Sequence, residues 1–357
     1  MPRDPRYDVL FEPVRIGPKT LRNRFYATSQ CSGFGSDRPA MNAYHRAMKA
    51  EGGYAITHTE WSAIHPEADE WPATTGRIWD DDDVRNWTLM CTKVHEHGAL
   101  AGIQLGFNGK HTFNLEGRLC ARGVTQIPSD TFWAHSCYEM TRQEIAELQE
   151  FYVAAARRAE QAGFDVIQIG AMENACIGQQ FLMPLHNKRS DEYGGSIENR
   201  ARFLREVTEK VRVAVGERCA VSVRLCIDTL HGSAEGIRVE VDAIPVVQML
   251  DDLVDLWDFQ VGGRTMAEWG DDAGASRFFK EGHELQYVAK VRPYTQKPIA
   301  NVGRFVHPDE MVKAIESGVV DLIGNARPGI ADPFLPTKIA EGRTDDIREC
   351  IGCNQCI

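Results

Sequence analysis

The chain has 357 residues, of which 43% are hydrophobic and 25% charged, an ordinary composition for a globular protein and a length that suits one (β/α)8 barrel of about 250 residues with insertions. The net charge of −11 opposes binding to a phosphate backbone, which needs clustered cations, so nucleic acid is excluded as a partner. There is no apolar run of about 18 residues and hence no membrane span; the charged N-terminus lacks a hydrophobic signal segment, which makes the cytoplasm the default compartment.

Short β-rich runs alternate with longer amphipathic stretches along the chain. Strands are expected at Arg24–Ala27, Tyr54–Thr59, Ala99–Leu105, Asp165–Ile169, Ala220–Arg224, Leu256–Val261, Pro298–Val302 and Asp321–Gly324. Several are nearly continuous apolar runs, as strands covered on both faces should be. Thr141-Arg-Gln-Glu144 reads as a capping box opening a helix. That helix puts Ile145, Leu148, Tyr152, Ala155, Ala156 and Ala159 on one face and ends at Gly163. Ser196 opens a second helix and His307-Pro308 a third. Eight such alternations argue for a (β/α)8 TIM barrel over residues 1–345, with residues 346–357 as a separate terminal segment. A doubly wound sheet would favour Gly-x-Gly-x-x-Gly after the first strand, and Cys31-Ser-Gly33-Phe-Gly35 has the wrong spacing.

Barrel function sits at the C-terminal ends of the strands. That rule nominates Thr28–Cys31, Glu60–Trp61, Gln104–His111, Gly170–Gln180, Arg224–Asp228, Gly262–Asp272, Gly303–Arg304 and Asn325–Arg327. Gly303-Arg304 after the seventh strand and Ala326-Arg327 after the eighth suit a phosphate, which takes backbone N–H groups and an arginine counter-charge. Turn glycines with surface arginines are the plainer alternative. Gln104 and Arg224 end strands three and five, where an amide and a guanidinium suit a flavin pyrimidine edge. Arg224 has a structural alternative, an ion pair with Asp228 or Glu60. Of the ten cysteines, seven are scattered and three close the chain as Cys350-Ile-Gly-Cys353-Asn-Gln-Cys356. Three thiolates at this spacing can hold three corners of an iron–sulfur cubane, with zinc as the competing metal.

Leu10-Phe-Glu-Pro13, Ile16-Gly-Pro-Lys-Thr-Leu-Arg-Asn-Arg24, the run from Asn187-Lys-Arg-Ser-Asp-Glu-Tyr-Gly-Gly to Arg202-Phe203, Ala331-Asp-Pro-Phe334 and the closing cysteines resemble the Old Yellow Enzyme superfamily. Within it the chain is most similar to the trimethylamine dehydrogenase branch, which includes dimethylamine and histamine dehydrogenases and N-methyl amino acid demethylases. The resemblance covers essentially the whole chain. It implies an FMN barrel, a 4Fe–4S cluster on Cys350, Cys353, Cys356 and a fourth cysteine beyond Ile357, then two nucleotide-binding-type domains. The expectation is therefore a longer natural protein, and three ligands alone are expected not to assemble a stable cluster. Cys31 matches the cysteine bonded to flavin C6 in this branch, with Thr28 beside it on the cofactor side; a small buried hydrophobe is the ordinary fate of such a residue. The resemblance further implies an acceptor such as an electron-transfer flavoprotein, and a homodimer.

The match departs from the branch at the substrate. The Asp of its Tyr–His–Asp set matches Asp272, but Asn174 stands at the His position and Ala171 at the Tyr position. The His pair of the reductases is broken too. Trp61 and Trp269 match two aromatics of the substrate bowl, and indole faces hold a methylated ammonium by about 0.5–2 kcal/mol per contact; ordinary packing is the alternative. Glu173 is positioned to bind an ammonium or act as a base, or to pair with Arg264 or Lys110. Those cations, with His111, offer a site for a substrate carboxylate. The reading is oxidation or demethylation of an N-methylated, amino-acid-like or betaine-derived amine. Asp272, Asn174 and Glu173 are the catalytic candidates, and the electrons leave through the cluster. The alternatives are an NAD(P)H-dependent ene-reductase and a flavin electron-transfer or assembly subunit without catalysis.

Overall fold

The computed structural model describes residues 2–68, 74–112, 118–130, 135–173, 175–230, 232, 234–265, 268 and 272–356. Eight parallel strands form its centre: β1 (Phe25–Ala27), β2 (Ile56–Ala63), β3 (Leu100–Gly106), β4 (Val166–Ala171), β5 (Ala220–Asp228), β6 (Leu256–Val261), β7 (Ile299–Asn301) and β8 (Leu322–Asn325). Each pairs with the next, and β8 pairs with β1, so the sheet closes on itself as a (β/α)8 barrel. All eight lie where the apolar runs place them. No helix among the described residues is long and apolar enough to cross a membrane.

The outer helices follow their local signals. Thr141 Oγ1 accepts from the Glu144 N–H at 3.2 Å and Glu144 Oε2 accepts from the Thr141 N–H at 2.7 Å, so the capping box is closed. Helix Arg142–Ala162 buries the face carrying Ile145, Leu148 and Tyr152, and Gly163 ends it with φ +100°. Ser196 caps helix Ile197–Val215, and Pro308 opens helix Pro308–Glu316.

Inside the barrel the side chains lie in layers. At the bottom, Tyr26, Ile56, Leu100, Val166, Ala220, Leu256, Ala300 and Leu322, one from each strand, pack in one apolar cluster. A hairpin of Val14–Ile16 and Lys19–Leu21 packs Val14, Ile16 and Leu21 against that cluster and closes the N-terminal end. These three-residue strands were not expected. They are too short for a periodic signal, and their burial comes only from the barrel they plug.

The next layer is polar: His58, Gln168, Ser222 and Asp258, with the Tyr26 hydroxyl reaching up to it. Gly102 is the glycine of this layer because a Cβ there would overlap the His58 ring. Gly102→Ala is expected to destabilise the fold by about 1–3 kcal/mol, the usual cost of overpacking a core. Denaturant unfolding checks this, and an unchanged midpoint would show that the layer yields freely.

Candidate active site

The mouth of the barrel is built around Arg224, at the C-terminal half of β5 and 4% exposed. Its Nη1 donates to Thr28 Oγ1 and lies 3.4 Å from Asp258 Oδ2. Its Nη2 lies 3.6 Å from Glu173 Oε1. Burial works against the Arg224 charge, but Asp258 and Glu173 more than offset it, so the guanidinium holds its proton more firmly than a free arginine. The anticipated alternative partners are elsewhere: Glu60 pairs with Arg46 at 2.6 Å, and Asp228 accepts from the N–H groups of Leu230 and Val239.

Below Arg224, Asp258 Oδ2 also accepts from Gln168 Nε2 at 3.1 Å and Thr28 Oγ1 at 3.3 Å. Gln104 Nε2 donates to Gln168 Oε1 at 2.8 Å, and Ser29 Oγ donates to Gln104 Oε1 at 3.0 Å. This chain of amides fixes the loop that carries Cys31, whose thiol is exposed. His58 is pushed down to about 3 by burial and stays neutral. Its Nδ1 sits 3.1 Å from the Ala27 carbonyl, which only accepts, so Nε2 is left to accept from Tyr26. Asp258, Gln168, Tyr26 and His58 were missed in the sequence. The available signal was polar residues at alternate positions of apolar strands, as in Leu256-Trp-Asp-Phe-Gln-Val261.

The loops after β7 and β8 form the other half of the mouth. Gly303 has φ +153°, and a Cβ there would meet Gly282 Cα at 3.3 Å. Arg304 takes φ +60°, and its buried Nε has no hydrogen-bond partner among the described residues. A Cβ on Gly324 would meet the Asn301 carbonyl at 2.8 Å. Ala326 is partly buried beside Arg327. Arg327 Nη1 donates to the Gly274 carbonyl at 3.3 Å and to Asn354 Oδ1. The buried guanidinium Nε atoms of Arg224 and Arg304, without partners among the described residues, fit a ligand that is anionic at one end and accepts hydrogen bonds at the other. FMN has both ends. Gly303 and Arg304 would take its phosphate, and Gln104 and Arg224 the pyrimidine edge of its ring.

The remaining candidates divide. Asp272 is 7% exposed, and its Oδ1 accepts from the Gly263 N–H at 2.8 Å and the Ala273 N–H at 2.5 Å, which fixes the carboxylate at the end of β6. Glu173 takes φ +59°, a conformation that costs a residue with a Cβ of order 1–2 kcal/mol, and it pairs with Arg224 instead of Arg264 or Lys110. The three groups of the expected carboxylate site each face an acid: Arg264 pairs with Glu268 at 2.5 Å, Lys110 with Asp130 at 2.8 Å, and His111 Nε2 lies 3.1 Å from Asp130. Trp61 is 7% exposed, lies over Gly106 and donates Nε1–H to Cys176 Sγ at 3.3 Å. Asn174 and Trp269 lie outside the described residues.

Among the described residues, no group of three or more His, Cys, Asp or Glu side chains is placed to hold a metal ion, so Cys350, Cys353 and Cys356 do not form a closed ligand set. Their segment is nonetheless docked. The Arg277 N–H donates to the Gly352 carbonyl at 3.0 Å, and Asn354 Nδ2 donates to the Gly274 carbonyl at 2.7 Å.

In a Cys31→Ala background, which keeps binding reversible, Arg304→Gln is expected to weaken FMN binding about tenfold or more. A hydrogen bond to a charged group contributes about 1.5–3 kcal/mol. Equilibrium dialysis against FMN measures this, and an unchanged affinity would remove Arg304 from the phosphate site.

The chain is 45% identical over 364 residues to dimethylamine dehydrogenase of Hyphomicrobium sp. (strain x), spanning 100% of this chain and 49% of that protein. The structure of 6-hydroxypseudooxynicotine amine oxidase from Pseudomonas geniculata N1 superposes with a TM-score of 0.94 at 42% identity, covering 99% of this chain and 52% of that one. Histamine dehydrogenase from Rhizobium sp. 4-9 gives 0.92 at 41% identity, covering 98% and 50%. The chain thus spans about half the length of these relatives. The family model of the NADH:flavin oxidoreductase / NADH oxidase family matches residues 9–346, and with the barrel and its mouth as described, the chain belongs to that family.

Proposed function

We propose that this chain is the FMN-bearing barrel of an amine-oxidising enzyme, acting on a C–H bond next to nitrogen in an N-methylated or related amine. The observation that carries the reading is the pair of carboxylates at the mouth, Glu173 and Asp272, on a barrel whose neighbouring cations are already ion-paired. Such a mouth attracts a cationic amine. Arg264, Lys110 and His111 each already face an acid, so the amine end is the recognised part and an amino-acid-like tail is secondary. The names of the relatives, which are dehydrogenases and oxidases of amines, support the same reading.

FMN, when bound, supplies an acceptor for a hydride equivalent. The residues do the rest. Gly303 and Arg304 hold the phosphate, and Gln104 with Thr28 holds the Cys31 loop and the ring edge. Arg224 keeps a fixed positive charge where negative charge develops, an electrostatic contribution that needs no reorganisation during the reaction. Asp272, locked by two backbone N–H groups, takes or polarises the ammonium proton, so that the amine reacts in its neutral form. Glu173 orients the nitrogen, Trp61 lines the pocket, and Asn174 and Trp269 remain the further candidates for contact with the substrate. Water then converts the iminium product to an aldehyde and a smaller amine.

The docked segment from Cys350 to Cys356, which opens a cluster-binding region over residues 346–357, lies against the loop that follows Asp272. This contact favours electron exit beside the substrate site, through an iron–sulfur cluster to a protein acceptor such as an electron-transfer flavoprotein.

Anaerobic mixing of the FMN-loaded protein with dimethylamine, dimethylglycine and N-methylproline tests the reaction. Bleaching of the flavin by an amine is the expected result, and simple amines are expected to act at least as well as the amino acids. Reduction by NAD(P)H alone, with an enone as acceptor, would overturn it. The tether has its own measurement: after denaturation the flavin absorbance is expected to stay with the polypeptide, and to leave it in Cys31→Ala.

A further inference from the structure

We propose that Asp258 is a positioning residue that sets how much of the Arg224 charge reaches a bound flavin, and through Arg224 sets the reduction potential of the ring. The proposal rests on the flavin reading of the site but not on the choice of amine.

Asp258 is 1% exposed and stands one strand from Arg224, on β6, in register with it. Three carboxylates face the guanidinium. Glu173 lies 3.6 Å away but its side chain is 26% exposed, so solvent screens it. Glu284 is buried, bonded to Asn301 at 3.0 Å, and pushed up to about 8, so it is mostly neutral near pH 7. Burial pushes Asp258 up as well, but Arg224, Gln168, Thr28 and Tyr26 all oppose that rise. Asp258, in register with Arg224 and 3.4 Å from its Nη1, is the carboxylate that geometry places as the buried counter-charge.

Its pairing with Arg224 is deliberately incomplete in geometric terms. The separation is 3.4 Å, longer than the 2.7–2.9 Å typical of a charge-assisted bond. The same oxygen, Oδ2, also accepts from Gln168 and Thr28 at 3.1 and 3.3 Å, and the Tyr26 hydroxyl, whose one proton goes to His58, lies 3.4 Å away. These neutral donors hold the carboxylate back from the guanidinium. Meanwhile Arg224 Nε has no partner among the described residues and remains to face a ligand. The result is an arginine partly neutralised from behind. Uptake of two electrons and one proton leaves one negative charge on the ring, and an Arg224 without Asp258 would favour that state more strongly.

The test uses the FMN-loaded chain, titrated anaerobically with dithionite as electron donor against a two-electron reference dye. Asp258→Asn keeps the shape and removes the charge. It is expected to shift the equilibrium with the dye at least tenfold toward reduced flavin, which is about 30 mV for a two-electron couple. A shift below threefold, or toward the oxidised form, would overturn the proposal. Tyr26→Phe perturbs the same network without changing its charge and is expected to stay within threefold of the parent; a tenfold shift there would also count against it. Because Asp258→Asn leaves Arg224 without its counter-ion and threatens folding, the charge-balanced Arg224→Gln/Asp258→Asn protein is compared with Arg224→Gln alone. Agreement within threefold supports action through Arg224, and a tenfold difference refutes it. A wild-type chain that takes up no FMN would instead overturn the flavin reading, and this proposal with it.

Discussion

A guanidinium buried in the mouth of a barrel constrains everything around it. Removing such a charge from water costs several kcal/mol unless hydrogen bonds and counter-charge replace the lost solvation. Arg224 obtains them from Asp258 behind, Glu173 above and Thr28 beside it. Each partner comes from a different strand end, so the arginine ties β1, β4 and β6 to β5 at the level where a ligand would sit. The polar layer below is a consequence. Asp258 needs donors, Gln168 and Thr28 provide them, and Gln168 also donates to Tyr26, whose own proton goes to neutral His58. The apolar cluster and hairpin plug beneath keep water from that network, which strengthens each of its bonds.

The rest of the mouth divides by chemistry. On the side of β7 and β8, glycine backbones leave room for a close approach and Arg304 offers a charge. On the side of β4 and β6, Glu173 and Asp272 offer negative charge to a substrate. The loop after Asp272 joins the two sides. Its Gly274 carbonyl accepts from Arg327 and from Asn354, and the Arg277 N–H holds Gly352. Arg327 therefore anchors the cysteine segment, a contact the phosphate reading of its motif did not foresee. The loop after Asp272, the loop after β8 and the terminal cysteine segment share one set of hydrogen bonds, so a displacement of any one is felt by the other two.

Much of this was legible in the amino-acid order. All eight barrel strands announced themselves as short β-rich runs, several of them nearly continuously apolar, and the helix starts by their caps, because strand burial on both faces and helix termini impose local composition. The rule that barrel function gathers at the C-terminal strand ends then placed Thr28, Gln104, Arg224, Asp272, Gly303 and Arg304 at one mouth. The family resemblance rested on motifs just as local.

What the order of residues could not state was which charge meets which. Arg264 and Glu268 are near in sequence, yet Arg224 and Glu173 are joined only because the barrel brings separate strand ends within 4 Å, and Lys110 and Asp130 only because the long connection after β3 folds back on itself. The carboxylate pocket drawn from Arg264, Lys110 and His111 dissolved for that reason: a cation's availability depends on every acid that folding places beside it. The alternation in Leu256-Trp-Asp-Phe-Gln-Val261 marks Asp258 as sharing a face with Gln260, but not as the partner of Arg224. The sequence by itself determined the strands, the caps and the glycines, since these answer to backbone conformation and burial over a few residues. Only the tertiary structure decided the counter-ion of Arg224, the plug beneath it and the docking of the terminal cysteines, since Coulomb attraction and packing act between residues near in space, however far apart in the chain.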